Sequence, residues 1–176
     1  MTTPWMTIRR DDGYLSDGEP FTYTYVEAAP AVFIVPVTET DEIVLIRQYR
    51  YTVDAWCLEV PAGGAGDRPG QSLEEIALEE LREEVGGICR GVKHVADFYS
   101  WPSRSDQIAH VYLARDVRLE VEPKWENTER IEIVGVPIDE ALRLARRGEI
   151  GDGQSTLALL LCEELLREMD QDGERS

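Results

Sequence analysis

The chain has 176 residues, 43% of them hydrophobic, which is enough for one domain with a sizeable core and too few for two of ordinary size. Its formal net charge of −17 argues against charge-driven binding to nucleic acid or to an anionic membrane, because both need a basic surface. An anionic small-molecule ligand would therefore need cations as intermediaries.

The cysteine and histidine content favours a reducing compartment. The three cysteines, Cys57, Cys89 and Cys162, are far apart and odd in number, which does not suit a disulfide framework. Since His94 and His110 are the only histidines, a structural zinc site is not expected. No apolar run approaches the roughly 20 residues of a membrane span, and the first residues lack the apolar core of a signal peptide. We expect a soluble, cytoplasmic protein.

Strands dominate the first third of the chain. The run FTYTYVE alternates like a half-buried strand, and AVFIVPVT, EIVLIRQYRY and WCLEVP follow as further β-rich runs. The glycine-rich segment PAGGAGDRPGQ, residues 61–71, predicts a loop. Ser72 and Glu75 then form a capping box at the start of the helix LEEIALEELREEV, which Gly86 and Gly87 end.

The second half mixes strands and helices. VKHVADFYS, IAHVYLARDV and RIEIVGVPI are typical of strands, while DEALRLARRG and STLALLLCEELLREM are typical of helices. The tail DQDGERS is predicted to be disordered. Because the strands come in runs and do not alternate with helices, the fold class is mixed α/β (α+β) with an antiparallel or mixed sheet.

The first predicted helix has an acidic stripe. At about 100° per residue, Leu73, Ile76 and Ala77 share one face, and Glu80, Glu83 and Glu84 continue it. Carboxylates at this spacing repel each other unless a cation lies between them, and magnesium prefers such oxygen ligands. From the spacing alone, a metal site and a solvated acidic face are equally favoured.

The stretch PAGGAGDRPGQSLEEIALEELREEVGG resembles the Nudix box, whose pattern is G-x5-E-x7-R-E-U-x-E-E-x-G-U with U aliphatic. The residues that match in register are Glu80, Leu81, Glu83, Glu84 and Gly86. VLIRQYRYTVDAWCLEVPAGG resembles the preceding strand pair of the ADP-ribose pyrophosphatase branch, and Pro102 lies about where that branch has a proline. The resemblance extends from about residue 31 to the last helix. It implies a Nudix fold of mixed β-sheets between helices.

Several positions depart from the box pattern. Gln71 replaces a glutamate, Glu79 replaces an arginine, Gly87 replaces an aliphatic residue, and the glycine loop is two residues longer than usual. In the family that arginine orients the metal-binding glutamates through an ion pair. Arg82 points to a different side of the helix and is a poor replacement. We therefore expect weaker or differently organised metal binding.

The resemblance implies a magnesium-dependent hydrolase, with manganese as a possible substitute. Glu80 and Glu84, with Glu83 and the backbone carbonyl of Ala62, would hold the metal against a diphosphate. A carboxylate would accept the proton of the water that attacks phosphorus. The expected substrate is ADP-ribose, giving AMP and ribose 5-phosphate, or a related nucleoside diphosphate sugar.

The general base is open among several carboxylates. Relatives often carry a glutamate in the stretch matching SRSDQIAHVYLA, where this chain has Gln107. Others take the base from the loop before the next strand, and the candidates there are Glu120, Glu122, Glu126 and Glu129. We choose Glu122, with Glu83 as the alternative.

Substrate contacts are expected from arginines and aromatic residues. In this branch an arginine of the RQYR type reaches the phosphates, which makes Arg50 and Arg47 candidates. A solvated strand arginine paired with surplus acid is an equal alternative. Trp56, Tyr51 and Trp101 could stack on a base, although such residues are more often core or interface.

The run FTYTYVE resembles the extra β-element with which relatives build a homodimer. We therefore expect an N-terminal β-element over residues 1–28, a hydrolase domain over 29–176, and a homodimer. Two other functions stay open: a nucleotide-binding or sensor domain with little turnover, which Gln71, Glu79 and Gln107 favour, and a structural domain, which the acidic face disfavours.

Overall fold

The structure is a computed structural model that describes residues 2–3, 6–66, 68–125 and 130–173. The candidate bases Glu126 and Glu129 lie outside this range. The described strands are β1 (Met6–Tyr14), β2 (Pro20–Ala28), β3 (Ala31–Thr38), β4 (Glu42–Arg50), β5 (Ala55–Glu59), β6 (Ala62–Gly64), β7 (Gly87–Ile88), β8 (Val92–Tyr99), β9 (Ile108–Leu119) and β10 (Ile131–Pro137). The described helices are α1 (Leu73–Val85), α2 (Ile138–Arg147), α3 (Gly153–Leu161) and α4 (Glu163–Gly173).

Eight of these strands form one mixed sheet. Its central order is β10-β4-β3-β9-β7, and β5, β6 and β8 pair with β4, β3 and β9, respectively. Strands β3 and β9 run parallel, and the other pairs are antiparallel. The predicted mixed sheet and α+β class are confirmed.

Each face of the sheet has its own hydrophobic core. Because side chains alternate along a strand, Ile34 packs towards α1 with Ile76, whereas Val35 packs with Leu142 and Leu159 of α2 and α3. The sheet therefore lies between α1 on one side and the later helices on the other, as the predicted arrangement requires. Helix α1, which carries the acidic stripe, packs on the first of these two faces.

The first two strands form a separate two-stranded sheet that is attached to the rest by the loop between β8 and β9. The backbone N–H of Val26 donates to the carbonyl of Arg104 at 2.7 Å, and that of Ala28 donates to Asp106 Oδ1 at 3.0 Å. The Tyr23 hydroxyl donates to the carbonyl of Ser103 at 2.7 Å.

The structure departs from the sequence predictions in five places, one of which is the unpredicted two-residue strand β7. Strand β1 was not predicted, because its charged run RRDD shows no apolar alternation; its backbone hydrogen bonds to β2 define it. Strand β6 lies within the predicted loop 61–71. The last predicted helix divides at Cys162 into α3 and α4, and α4 continues to Gly173, inside the tail predicted to be disordered.

The cysteines Cys57, Cys89 and Cys162 are all free. Burial raises the pKa of the Cys162 thiol to about 12, so this side chain behaves as part of the core. In the part of the chain that the structure describes, no helix is both long and apolar enough to cross a membrane.

Candidate active site

Helix α1 is fixed at both ends. Ser72 accepts a hydrogen bond from the backbone of Glu75 at 3.2 Å, and the Glu75 carboxylate accepts one from the backbone of Ser72 at 2.7 Å, which confirms the predicted capping box. At the other end Gly86 has a φ of 69°. A Cβ there would lie 1.9 Å from the carbonyl oxygen of Val121, so only glycine fits. The position of the acidic stripe is therefore set by both caps.

Two glutamates of this stripe are buried. Glu80 and Glu84 are 8% and 9% exposed, and they follow the buried Ile76 and Ala77 along the inward face. The prediction that Glu83 shares this face is wrong, since about half of its side chain is exposed. At about 100° per residue, position 83 lies about 60° from Glu80 and about 100° from Glu84, at the edge of the inward stripe.

The glycine segment brings backbone directly against the two buried carboxylates. A Cβ on Gly63 would lie 1.9 Å from Glu80 Oε1, so the absence of a side chain is what lets this carboxylate reach β6. The N–H of Ala62 donates to Glu84 Oε2 at 2.8 Å. Pairing of β6 with β3 holds both backbone positions in place.

Arg68 joins three of the helix carboxylates. Its Nη2 lies 2.8 Å from Glu80 Oε1 and 3.1 Å from Glu83 Oε2, and its Nε lies 3.9 Å from Glu79 Oε2. The arginine side chain is only 18% exposed. Because it comes from the lengthened glycine segment, the loop supplies the cation that the helix lacks.

The two substituted positions of the box contact each other. Gln71 Nε2 donates to Glu79 Oε1 at 2.6 Å. A glutamate and an arginine at these positions would form an ion pair with the cation on the helix. Here an amide donates to a carboxylate, and the cation, Arg68, comes from the loop.

A cleft of about 480 Å³ is lined by Ala62 and Gly63, the two residues whose backbone lies against Glu84 and Glu80. Arg50 lines it together with Glu59, Ala62, Gly63 and Gln107. Arg50 Nε donates to Glu59 Oε1 at 2.7 Å, and its Nη2 contacts the other oxygen of the same carboxylate. These hydrogen bonds raise the pKa of Arg50, and the charge of Glu84 adds to the effect. The cleft thus presents a fixed guanidinium beside the acidic stripe.

Four predicted substrate contacts lie outside that cleft in this chain, and Tyr51 is one of them, with most of its side chain exposed. Arg47 Nη1 lies 3.3 Å from Glu132 Oε2. The guanidinium carbon of Arg47 lies 5.3 Å from the centre of the Trp56 ring, over its face. Trp101 is exposed in the loop that attaches the two-stranded sheet. Of the predicted contacts, the structure places only Arg50 in the cleft with Ala62 and Gly63.

The chosen base, Glu122, lies beside the exposed edge of α1. It is exposed in a second cleft, of about 240 Å³, that Glu79 and Glu83 also line. Its segment is anchored to the helix, because the N–H of Lys124 donates to the carbonyl of Glu83 at 2.8 Å and Trp125 Nε1 donates to that of Glu84 at 2.9 Å.

Two residues of the site, Arg68 and Glu59, were not predicted from the sequence. Arg68 lies outside the spacing of the box, and its only signals were the two extra loop residues and the missing helix arginine. Glu59 is 5% exposed. Glu59 is the single carboxylate in the apolar run WCLEVP, and a buried carboxylate in such a run needs a buried partner.

Known proteins resemble this chain in sequence over most of its length. The sequence profile of the NUDIX domain matches residues 27–159. The chain is 29% identical to the ADP-ribose pyrophosphatase of Bacillus subtilis over 85% of this chain and 80% of that protein. It is 35% identical to the ADP-ribose pyrophosphatase of Mycobacterium tuberculosis over 81% of this chain and 69% of that protein.

A solved structure shows the same architecture. The crystal structure of an ADP compounds hydrolase superposes with a TM-score of 0.81 at 25% identity, covering 96% of this chain and 90% of that one. The profile match spans well over half of the 176 residues. The chain therefore belongs to the NUDIX domain family and is a hydrolase acting on pyrophosphate bonds.

Proposed function

We propose that the protein hydrolyses the diphosphate of ADP-ribose, or of a related nucleoside diphosphate sugar, with a magnesium ion. The observation that carries this is the pair of buried carboxylates, Glu80 and Glu84, held against the backbone of Ala62 and Gly63 beside the Arg50 cleft. The relatives named ADP-ribose pyrophosphatase support the substrate class.

The residues present fit a hard divalent cation. Glu80 and Glu84 supply carboxylate oxygens, Glu83 lies at their exposed side, and the carbonyl of Ala62 is an oxygen ligand of the kind magnesium takes. The bound ion would supply charge neutralisation at the phosphoryl oxygens and acidify a water molecule. Manganese has similar ligand preferences and is the expected substitute.

The protein's own groups position the reactants. Arg50, held by Glu59, would donate to phosphate oxygens at the cleft, and its fork suits them better than a single ammonium would. Arg68 keeps Glu80 and Glu83 from repelling each other. Glu122 would accept the proton of the attacking water, with Glu83 as the alternative. For ADP-ribose, the addition of one water yields AMP and ribose 5-phosphate.

We also propose that the protein acts as a cytoplasmic homodimer. The two-stranded sheet leaves Met6, Ile8, Phe21 and Tyr23 substantially exposed, which suits an interface with a second copy. The remaining predicted contacts of Arg47, Trp56 and Trp101 stay predictions.

A ligand-binding domain with little turnover is the second candidate, and Gln107 favours it. Its side-chain amide donates to the carbonyl of Ala29 at 3.0 Å, so this cleft position offers no carboxylate for proton transfer. A hydrolase is still favoured because the carboxylates at positions 80, 83 and 84 are all retained.

The first prediction concerns turnover itself. In magnesium, nucleoside monophosphate should be released from ADP-ribose or another nucleoside diphosphate sugar, and EDTA should abolish the release. Glu84→Gln should slow turnover on the order of 10²- to 10³-fold, whereas Glu74→Gln, an exposed change on the same helix, should not. Turnover that survives EDTA would contradict the proposal. A ligand that raises thermal stability without being cleaved would support the second candidate.

The second prediction concerns the base. Glu122→Gln should lower kcat by about 10²- to 10⁴-fold with little change in KM, because proton transfer is lost and binding is kept. Glu74→Gln, an exposed change on α1 away from the candidate bases, is the control. An unchanged kcat in the Glu122 variant would remove this residue from the mechanism and leave Glu83 and the other candidate carboxylates.

The third prediction compares adjacent glycines. Gly63→Ala should displace the Glu80 carboxylate and so weaken manganese binding. The free energy of unfolding should change little, because the end of a flexible side chain can move aside. Gly64→Ala meets open space and should leave manganese binding unchanged. Binding followed by electron paramagnetic resonance separates the two, and equal affinities would show that Glu80 does not need this approach.

The fourth prediction concerns the cation from the loop. Arg68→Gln should weaken manganese binding and lower kcat/KM by about 10- to 100-fold, as losses of partners to metal ligands do. Adding Glu79→Arg should recover part of the loss, since it returns a guanidinium to the helix. Arg90→Gln, an exposed change just after α1, is the control. If Arg68→Gln behaves like that control, Arg68 has no positioning role.

A further inference from the structure

The only two histidines of the chain meet on one carboxylate. His94 Nε2 and His110 Nδ1 each lie 2.6 Å from Asp97 Oδ1. The three donor atoms all lie within 4.8 Å of one another. None of these residues belongs to the acidic stripe or to the Arg50 cleft, so the cluster is a separate feature of the β8–β9 pair.

A β-bulge brings these side chains together. Residues three apart on a regular strand point to opposite faces of the sheet, so His94 and Asp97 would normally diverge. The register of β8 against β9 shifts between His94 and Ala96, which adds one residue to β8. As a result His94 stands opposite Tyr112, Asp97 stands opposite His110, and all four side chains share one face.

The histidine rings are held in place by their surroundings. The side chain of His110 is 15% exposed, and the ring of His94 meets that of Tyr112 edge-on at 5.4 Å between centroids. The carboxylate of Asp97 and the outer side of His94 are open to solvent. Two oriented imidazoles and one accessible carboxylate therefore face a point that a dissolved ion can reach.

We propose that His94, Asp97 and His110 bind a divalent transition-metal ion such as Zn²⁺. Two imidazole nitrogens and one carboxylate oxygen form a donor set that zinc takes, and water would complete the tetrahedron. Bonds of about 2.0–2.1 Å place tetrahedral ligands about 3.3 Å apart, so each donor has to move by less than about 1 Å. The sequence-based expectation of no zinc site considered only the small number of histidines and cysteines, and did not include Asp97.

The site would cross-link the outer strand β8 to β9. These strands carry between them the loop that attaches the two-stranded sheet and contains Gln107, which lines the Arg50 cleft. The bound ion would thus stabilise the support of that loop. Its two imidazole ligands favour a transition metal such as zinc, whereas the all-oxygen ligands on α1 favour magnesium.

The test is zinc retention after equilibrium dialysis of the full chain in excess magnesium, which fills the carboxylate site. Wild type and Glu84→Gln should each retain one zinc per chain and show a raised Tm. His94→Gln, at an exposed position, and His110→Gln should lose retention and the rise in Tm. Removing a residue that only hydrogen-bonds to a metal ligand lowers metal affinity by about 10- to 100-fold. Removing a metal ligand itself should lower the affinity for zinc by at least that factor.

Cobalt(II) substitution identifies the donor atoms. Only weak visible bands, without a thiolate charge-transfer band, are expected from nitrogen and oxygen ligands. Absence of retained zinc in wild type, retention unchanged in His94→Gln, loss of zinc in Glu84→Gln, or a thiolate band would each overturn the proposal. The His94 variant decides the matter if the less exposed His110 variant does not fold.

Discussion

Two carboxyl groups buried one turn apart on one helix are the constraint on which the rest of this structure depends. Taking an ionised carboxylate out of water costs on the order of several kcal/mol unless partners compensate. Glu84 is compensated by the N–H of Ala62, and Glu80 by Arg68. The capping box, the Gly86 cap at the end of α1 and the pairing of β6 with β3 all fix the position of these two carboxylates.

The position of the compensating cation distinguishes this chain from the pattern it resembles. The helix position that would carry an arginine carries Glu79, and Gln71 contacts that glutamate in place of an ion pair. Arg68, on the lengthened glycine segment, contacts Glu80 and Glu83 in its stead. A departure from a motif therefore does not by itself mean a lost function, because the charge can be supplied from another element.

Local patterns in the sequence predicted much of the fold. The limits of α1, its capping box and most strands follow from periodicity and from cap residues that act within a few positions. Strand β1 could not be predicted in this way, because only its pairing with β2 defines it. The same applies to the site: the matching glutamates were predicted from spacing, whereas Arg68 and the pair of Arg50 with Glu59 are contacts between separate elements.

The most direct measurement is a crystal structure of the protein soaked with Mn²⁺, with anomalous scattering to locate the ion. We expect an anomalous peak within bonding distance of carboxylate oxygens of Glu80 and Glu84 and of the Ala62 carbonyl, with Arg68 still in contact with Glu80 or Glu83. A crystal with no peak at these carboxylates, or with Arg68 turned away into solvent, would contradict this expectation.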